Sequence, residues 1–189
     1  MSEISYMYIP RIQVPSFQVR GKKEYLSPEN LEKLLDGNVF VEEKLDGKIT
    51  SINIRQYTSF EYFGEDLHWK HNVFYNKIPI SRIPFVVGID IYDHDNGEFF
   101  EFKSTDFWAE GIPLVPVLLQ GKNLKLNDIL ALLDSKSAFG DEQIEGVVVK
   151  NYDKQIFGKI VNPKFDNDVD DSKHWLRKKR VSNRIIREE

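Results

Sequence analysis

Six consecutive residues, Glu42-Glu43-Lys44-Leu45-Asp46-Gly47, carry the densest chemistry in the chain. They follow an apolar segment, Val39-Phe40-Val41, and precede a strand-like run from Ile49 to Ile54. A lysine at the close of one strand and the mouth of a turn is held by rigid backbone on both sides. Such a lysine can act as a nucleophile that bonds covalently to phosphorus. Asp46, two residues on, can lie on the same side of an extended backbone as Lys44. Gly47 permits a positive φ or a close backbone approach. A competing reading stands beside this one: Asp-Gly is also a strong two-residue hairpin signal, which would simply pair the flanking strands.

A free lysine titrates near 10.4, so only about one in a few thousand is neutral at pH 7. A nucleophilic lysine therefore needs partial burial or neighbouring cations to shed its proton. Three further polar motifs interrupt strand-like runs: Phe63-Gly64-Glu65, Glu145-Gly146-Val147-Val148-Val149-Lys150, and Lys159-Ile160-Val161-Asn162-Pro163-Lys164-Phe165. Each puts a charge inside or at the end of an apolar strand, where an unpaired charge costs roughly several kcal/mol. Charges of both signs in four such places point to a shared pocket. Lys159 and Lys150 are candidates for a positive field around a phosphate. Carboxylates there suit a divalent cation, since Mg²⁺ prefers oxygen ligands and needs only one or two of them from the protein.

The elements that must position these groups are strands more than helices. Ser27-Pro28-Glu29-Asn30 starts a short helix, with Ser27 as N-cap and Pro28 in the first helical position; Asp36-Gly37 ends it. Asn38 to Lys44 and Lys48 to Tyr57 read as strands, the second half-buried by its alternation. Phe60 to Leu67 is a short aromatic strand. Phe85 to Tyr92 is almost continuously apolar, the pattern of a strand buried on both faces. Asp95-Asn96-Gly97 turns the chain into Glu98 to Phe102. Gly111 to Leu119, with two prolines, reads as an edge or loop, and Asn127 to Leu133 as a short helix. Ile144 to Tyr152 and Gln155 to Val161 form a hairpin turning near Asp153-Lys154. The tail from Asp166 begins acidic, becomes basic at Arg177-Lys178-Lys179-Arg180, and reads as helical. Irregular order and a surplus of strands predict an α+β fold rather than a doubly wound sheet.

Composition bounds the rest. At 189 residues, 41% hydrophobic and 13% aromatic, the chain can bury the core of one substantial domain. A net charge of −4 gives no global attraction for nucleic acid, so any polyanion site must be local. The absence of cysteine excludes disulfides, thiolate catalysis and zinc–cysteine sites. With no secretory leader pattern and no apolar run long enough to span a bilayer, the expectation is a soluble protein of the cytoplasm.

The order of the motifs resembles that of the covalent nucleotidyltransferases, the superfamily of DNA ligases, RNA ligases and mRNA capping enzymes. The finer match is to the RNA ligases. Phe63-Gly64-Glu65-Asp66-Leu67 followed by His71 and Tyr75 resembles their third motif and its downstream segment. Gly111 to Val117 resembles a stretch before their fourth motif, and Lys159 to Phe165 their fifth. The resemblance covers roughly residues 8 to 167. It implies an α+β nucleotidyltransferase (adenylation, ATP-grasp-like) domain over residues 1–167, its antiparallel sheets flanked by helices and enclosing an ATP cleft, followed by a short basic tail over 168–189. It implies an ATP-dependent RNA ligase that joins 5′-phosphate to 3′-hydroxyl ends through a lysyl-AMP intermediate, with ATP and Mg²⁺ (or Mn²⁺) as cofactors. RNA ends are the implied partner, with DNA or an RNA–DNA hybrid as alternatives.

The resemblance also distributes roles. Lys44 is the nucleophile, Asp46 orients it or the end being joined, and Lys159 contacts the α-phosphate. Glu65 binds the ribose hydroxyl, and Glu145 holds the metal. Glu42 and Glu43 lie beside the adenine amino group, Ile89 or Phe85 against its ring. Lys150 and Arg55 complete the nucleotide site. The chain departs from many relatives at Val161, where they carry a second lysine, at Ile89, where they carry an aromatic, and at Ile49, where they carry arginine or asparagine. Alternatives kept open are a DNA or nick-sealing ligase, a capping-type guanylyltransferase, and a non-catalytic module that binds nucleotides or RNA ends. His68 and His71 have a metal-like spacing but lack a third ligand, so a structural role is expected of them.

Overall fold

Ser27 caps the first helix as its sequence predicts: its side chain accepts from the Asn30 N–H at 3.2 Å, and α1 runs Pro28–Leu35. The computed structural model describes residues 6–17, 23–53, 59–101, 107, 111–165 and 181–186. Arg55 and the basic run Arg177 to Arg180 lie outside the described residues, as does most of the tail expected to be helical.

Among the described residues eight strands follow α1: β1 Asn38–Glu43, β2 Lys48–Ile52, β3 Phe60–Asp66, β4 Val86–Asp93, β5 Glu98–Phe100, β6 Val117–Lys122, β7 Gly146–Asn151 and β8 Ile156–Val161. A second helix, α2 (Leu126–Ala131), and a 3₁₀ turn (Leu132–Asp134) fall between β6 and β7. The strands make two four-stranded antiparallel sheets, in the orders β6-β1-β7-β8 and β2-β3-β4-β5. This is the expected α+β architecture. The run Gly111 to Leu119 resolves into both of its readings. Val115 lies beside β4, its N–H donating to Gly88 O at 2.9 Å, and Val117 then begins an edge strand.

The hairpin reading of Asp46-Gly47 does not hold. β1 belongs to one sheet and β2 to the other, so residues 44–47 cross between sheets. Gly47 is there for close approach rather than for a positive φ. A Cβ on it would collide with the Asp66 carbonyl and reach within 2.9 Å of Glu65 Cγ.

Three clusters of apolar side chains hold the layers together. Leu45, Phe63, Leu67, Tyr75, Ile89, Phe99 and Phe157 pack between the sheets, directly beneath the crossover. Val39, Val41, Val147, Val149 and Ile160 form the other face of the first sheet and take Leu34, Ile129 and Leu133 from the helical segments. Ile52, Tyr62, Ile91 and Phe107 cover the outer face of the second sheet. Ladder irregularities occur at Val41/Glu42 in the β1–β6 pairing and at Phe63/Gly64 in the β3–β4 pairing. Each lies just before a charged residue of the candidate site, where a local kink re-aims side chains.

Candidate active site

The two sheets diverge around a cavity of about 650 Å³, lined among others by Glu42, Glu43, Lys44, Glu65, Ile89, Lys150 and Lys159. Seven of the residues singled out in sequence thus share one hollow. Lys44 leaves the end of β1, its N–H fixed on Gly146 O at 2.9 Å. Its side chain pairs with Glu145 Oε2. Glu145 comes directly before β7 and is brought close by its neighbour: a Cβ on Gly146 would run into the Ile160 carbonyl of β8. The Glu-Gly sequence therefore packs two strands tightly and delivers the carboxylate to the lysine.

Glu65 is buried, and its Oε1 accepts from the Gly47 N–H at 2.9 Å. Burial pushes its carboxyl up to about 7, against the opposing pull of Lys44 and the Gly47 N–H. Burial likewise raises Glu145, with the Lys44 charge as the main opposing influence. Burial alone would lower Lys44, but the charge and hydrogen bond of Glu145, with Glu65 and Asp46 behind them, outweigh it and raise its pKa. Cations beside Lys44 do not prevail in this state; the carboxylates hold it protonated. Lys159 behaves in the opposite sense. Burial lowers it first, then repulsion from Lys44, Arg11 and Lys23. Its ammonium sits 5.0 Å from the centre of the Tyr8 ring.

Lys150 is placed differently from the expectation that it lends positive field to a phosphate. It is fully buried and paired with Glu42 at 2.6 Å and Asp90 at 2.9 Å, and it also donates to Ile89 O at 3.0 Å. Two carboxylates absorb its charge. Asp90 in turn accepts from Tyr6 at 2.5 Å and Tyr152 at 2.7 Å. Burial lifts the Glu42 carboxyl to about 7, with Lys150 opposing and Asp90 adding. Glu42 and Lys150 are thus the polar floor of the cavity. Glu43 lines the same cavity, and its Oε2 accepts from Ala138 N at 3.1 Å.

Asp46 does not aim into the cavity. Its carboxylate accepts from the Asn72 and Val73 amides, the latter at 2.9 Å, and its own N–H donates to the Tyr75 hydroxyl at 2.9 Å. It orients the loop through the backbone. Ile89 lines the cavity wall beside Phe63 and Val148. Phe85 is not part of that wall; its ring stacks on His68 at 4.7 Å, and His68 stacks on Trp69 at 4.5 Å. His68 thus has the structural role expected of it.

Asp90, Tyr6 and Tyr8 are among the residues that sequence reasoning missed, and Tyr75 entered it only within the stretch after the third motif. Asp90 had a readable signal: an acid within the apolar run Phe85 to Tyr92 needs a buried partner. Tyr6 and Tyr8 had none, since they reach the site from the N-terminal segment.

Among the described residues no group of three or more His, Asp or Glu side chains forms a ready-made metal cage. Glu145 is already paired with the Lys44 ammonium, and a divalent cation bound with a nucleotide takes most of its ligands from phosphate and water.

Two antiparallel sheets around a cleft that holds a lysine–carboxylate pair define a nucleotidyltransferase-like domain. A sequence model of the RNA ligase family matches residues 49–169, the stretch carrying Glu65, Glu145 and Lys159, and the chain belongs to that family. Among solved structures it is similar to Naegleria gruberi RNA ligase with PPi (18% identity, TM-score 0.52, covering 94% of this chain and 63% of that one). A mutant of the same ligase with AMP and Mn gives 15% identity and a TM-score of 0.50, covering 74% of this chain and 55% of that one. At this identity the likeness is one of fold, and the chain spans a little over half the length of those proteins. No curated protein matches the sequence. Among the described residues, no helix is long and apolar enough to cross a membrane.

Proposed function

We propose that this chain is the adenylating domain of an ATP-dependent RNA ligase, in which Lys44 takes up AMP and passes it to an RNA 5′-phosphate for joining to a 3′-hydroxyl. The observation that carries this reading is that Lys44, paired with Glu145, lines one cavity with Glu65 and Lys159, in a chain of the RNA ligase family. AMP, Mn and PPi, named with the similar Naegleria structures, are the species such a reaction handles.

In the first step the neutral Lys44 amine attacks the α-phosphorus. A P–N bond forms, the bond from that phosphorus to the bridging oxygen breaks, and pyrophosphate leaves with the electron pair. The proton of the resting ammonium must leave first. Glu145, its hydrogen-bond partner, holds that proton in the resting state and must release the ammonium before the amine is neutral. Lys159, whose own pKa is lowered but whose charge faces the cavity, balances negative charge on the phosphoryl oxygens. Glu65 and the Glu42–Lys150–Asp90 floor present acceptors and donors to the sugar and the base, and Ile89 offers an apolar wall to the ring. A divalent cation held by Glu145, Mg²⁺ or Mn²⁺, would supply Lewis-acid charge at the phosphate and withdraw the carboxylate that keeps Lys44 protonated.

The reading is tested by giving the purified chain ATP, Mg²⁺ and a nicked duplex RNA with a 5′-phosphate at the nick. Sealing that needs both ATP and the 5′-phosphate supports it. A folded protein that seals nicked DNA but not RNA overturns the RNA assignment.

A further inference from the structure

The loop that carries Lys44 lies between the sheets and belongs to neither, so something else must hold it. Two of its backbone anchors go to the strands: Lys44 N–H to Gly146 O and Gly47 N–H to Glu65, both at 2.9 Å. Three further bonds, all at Asp46, go to the segment 67–78. The Asp46 N–H donates to the Tyr75 hydroxyl, and the Asp46 carboxylate accepts from the Asn72 and Val73 amides. That segment contributes only isolated bridges, at Trp69 and Ile78, and no strand of its own. It cannot fix Asp46 unless it is itself fixed.

Phe74 N–H to Glu142 at 3.1 Å and Lys77 N–H to Phe139 O at 2.8 Å fix part of it, and further bonds come from residues 181–186. Asn183 is buried, 3% exposed. Its side-chain oxygen accepts from Tyr75 N at 2.9 Å, its side-chain nitrogen donates to Leu67 O at 2.6 Å, and its own N–H donates to His68 O at 3.0 Å. An acceptor facing an N–H and a donor facing a carbonyl leave the amide one orientation. Flanking bonds extend the clasp: Lys70 N to Val181 O and Arg184 N to Tyr75 O at 2.8 Å, and Ile186 N to Ile78 O at 2.8 Å. One asparagine thus ties both ends of the loop that cradles Asp46.

We propose that Asn183 is a positioning residue for the Lys44 loop, acting through Tyr75 and Asp46. The segment 181–186 is then a working part of the site rather than an appendage to it. The consequence for catalysis rests on the ligase reading above; the consequence for the loop does not. Loss of the Asn183 amide frees the Leu67 and Tyr75 ends of the cradle, the Tyr75 hydroxyl shifts away from the Asp46 N–H, and Lys44 loses its aim.

Backbone amide exchange, followed residue by residue, tests the loop. In Asn183→Ala the Asp46 amide should exchange at least about tenfold faster, while amides of β1 and β7 keep their protection. Tyr75→Phe, which removes only the hydroxyl, should do the same. Where Asn183→Ala loses protection throughout, Asn183→Ser carries the same test with one link retained. Unchanged exchange at Asp46 in a folded Asn183 variant overturns the proposal. Single-turnover lysyl-AMP formation tests the consequence. Asn183→Ala and Tyr75→Phe should each slow it by about tenfold at saturating ATP, with ATP affinity within about twofold of the parent. The double variant should be no slower than either, because both act along one path. Losses that multiply, or a loss confined to ATP affinity, overturn it. A parent chain that forms no lysyl-AMP defeats the ligase reading and leaves the exchange measurement to decide the clasp.

Discussion

Lys44, which lines the cavity between the two sheets, meets Glu145, 101 positions away in sequence, as a hydrogen-bonded ion pair. The pairing keeps the amine protonated in the resting state. In the proposed reaction Glu145 is both the partner that aims Lys44 and the carboxylate that would receive a cation. Glu145→Gln keeps the shape and removes the charge. It should lower the rate of lysyl-AMP formation by at least about 10²-fold with little loss of stability. Quench-flow kinetics and a thermal melt check this; a rate within a few-fold of the parent would remove Glu145 from the chemistry.

The floor of the cavity makes a prediction about stability. Lys150 is enclosed with Glu42 and Asp90, so removing it strands two buried carboxylates. Lys150→Met should destabilise the fold by about 3–5 kcal/mol. Lys150→Met combined with Glu42→Gln and Asp90→Asn should recover most of that, since no charge is then unmatched. Denaturant melts of the single and triple variants decide it; equal stabilities would mean that the three do not act as a unit.

Glu42 also predicts a pH dependence. Its carboxyl is raised to about 7 in the fold from an ordinary value of 4.5, chiefly by burial. Between those values the folded state binds more protons than the unfolded chain, so stability falls as pH rises. The cost is absent below pH 4.5 and fully developed above pH 7, up to about 3 kcal/mol. Lys150 stays charged in both states over this window and adds no slope, because its pKa is raised above an already high value. Glu42→Gln should therefore make the stability profile less steep between pH 4.5 and 7, Glu65 supplying the remaining slope of the same sign. An unchanged slope would mean that Glu42 is ionised throughout.

Gly47 supports a geometric prediction. Gly47→Ala forces a Cβ against the Asp66 carbonyl and within 2.9 Å of Glu65 Cγ. It should cost about 1–3 kcal/mol in stability and, by displacing Glu65, weaken ATP binding. Calorimetric titration with ATP checks the second part; unchanged affinity would separate Glu65 from the nucleotide.

Much of this was legible in the sequence because local chemistry and tertiary need agreed. Ser27-Pro28 could start only a helix, Asp95-Asn96-Gly97 could only turn, and charges lodged in apolar strands had to converge on a common hollow. What was not legible depended on long-range placement. Asp46-Gly47 carries a hairpin signal that the two-sheet topology overrides. Lys150 looked like a free cation because Asp90, its second partner, lies 60 positions away, in a strand that is otherwise apolar. Asp46 looked like a side chain aimed at the lysine, whereas the amides that claim it come from a loop without periodicity. Asn183 gave no signal at all, since its role lies in three hydrogen bonds to residues more than 100 positions away.

The central claim is that Lys44 accepts AMP through a P–N bond. The direct measurement is mass spectrometry of the chain incubated with ATP and Mg²⁺, with peptide mapping under neutral or alkaline conditions that preserve a phosphoramidate. The account predicts one adenylyl group per chain, on Lys44, abolished in Lys44→Ala and reversed by added pyrophosphate. An adenylyl group on another residue, or none on folded parent protein, would contradict it.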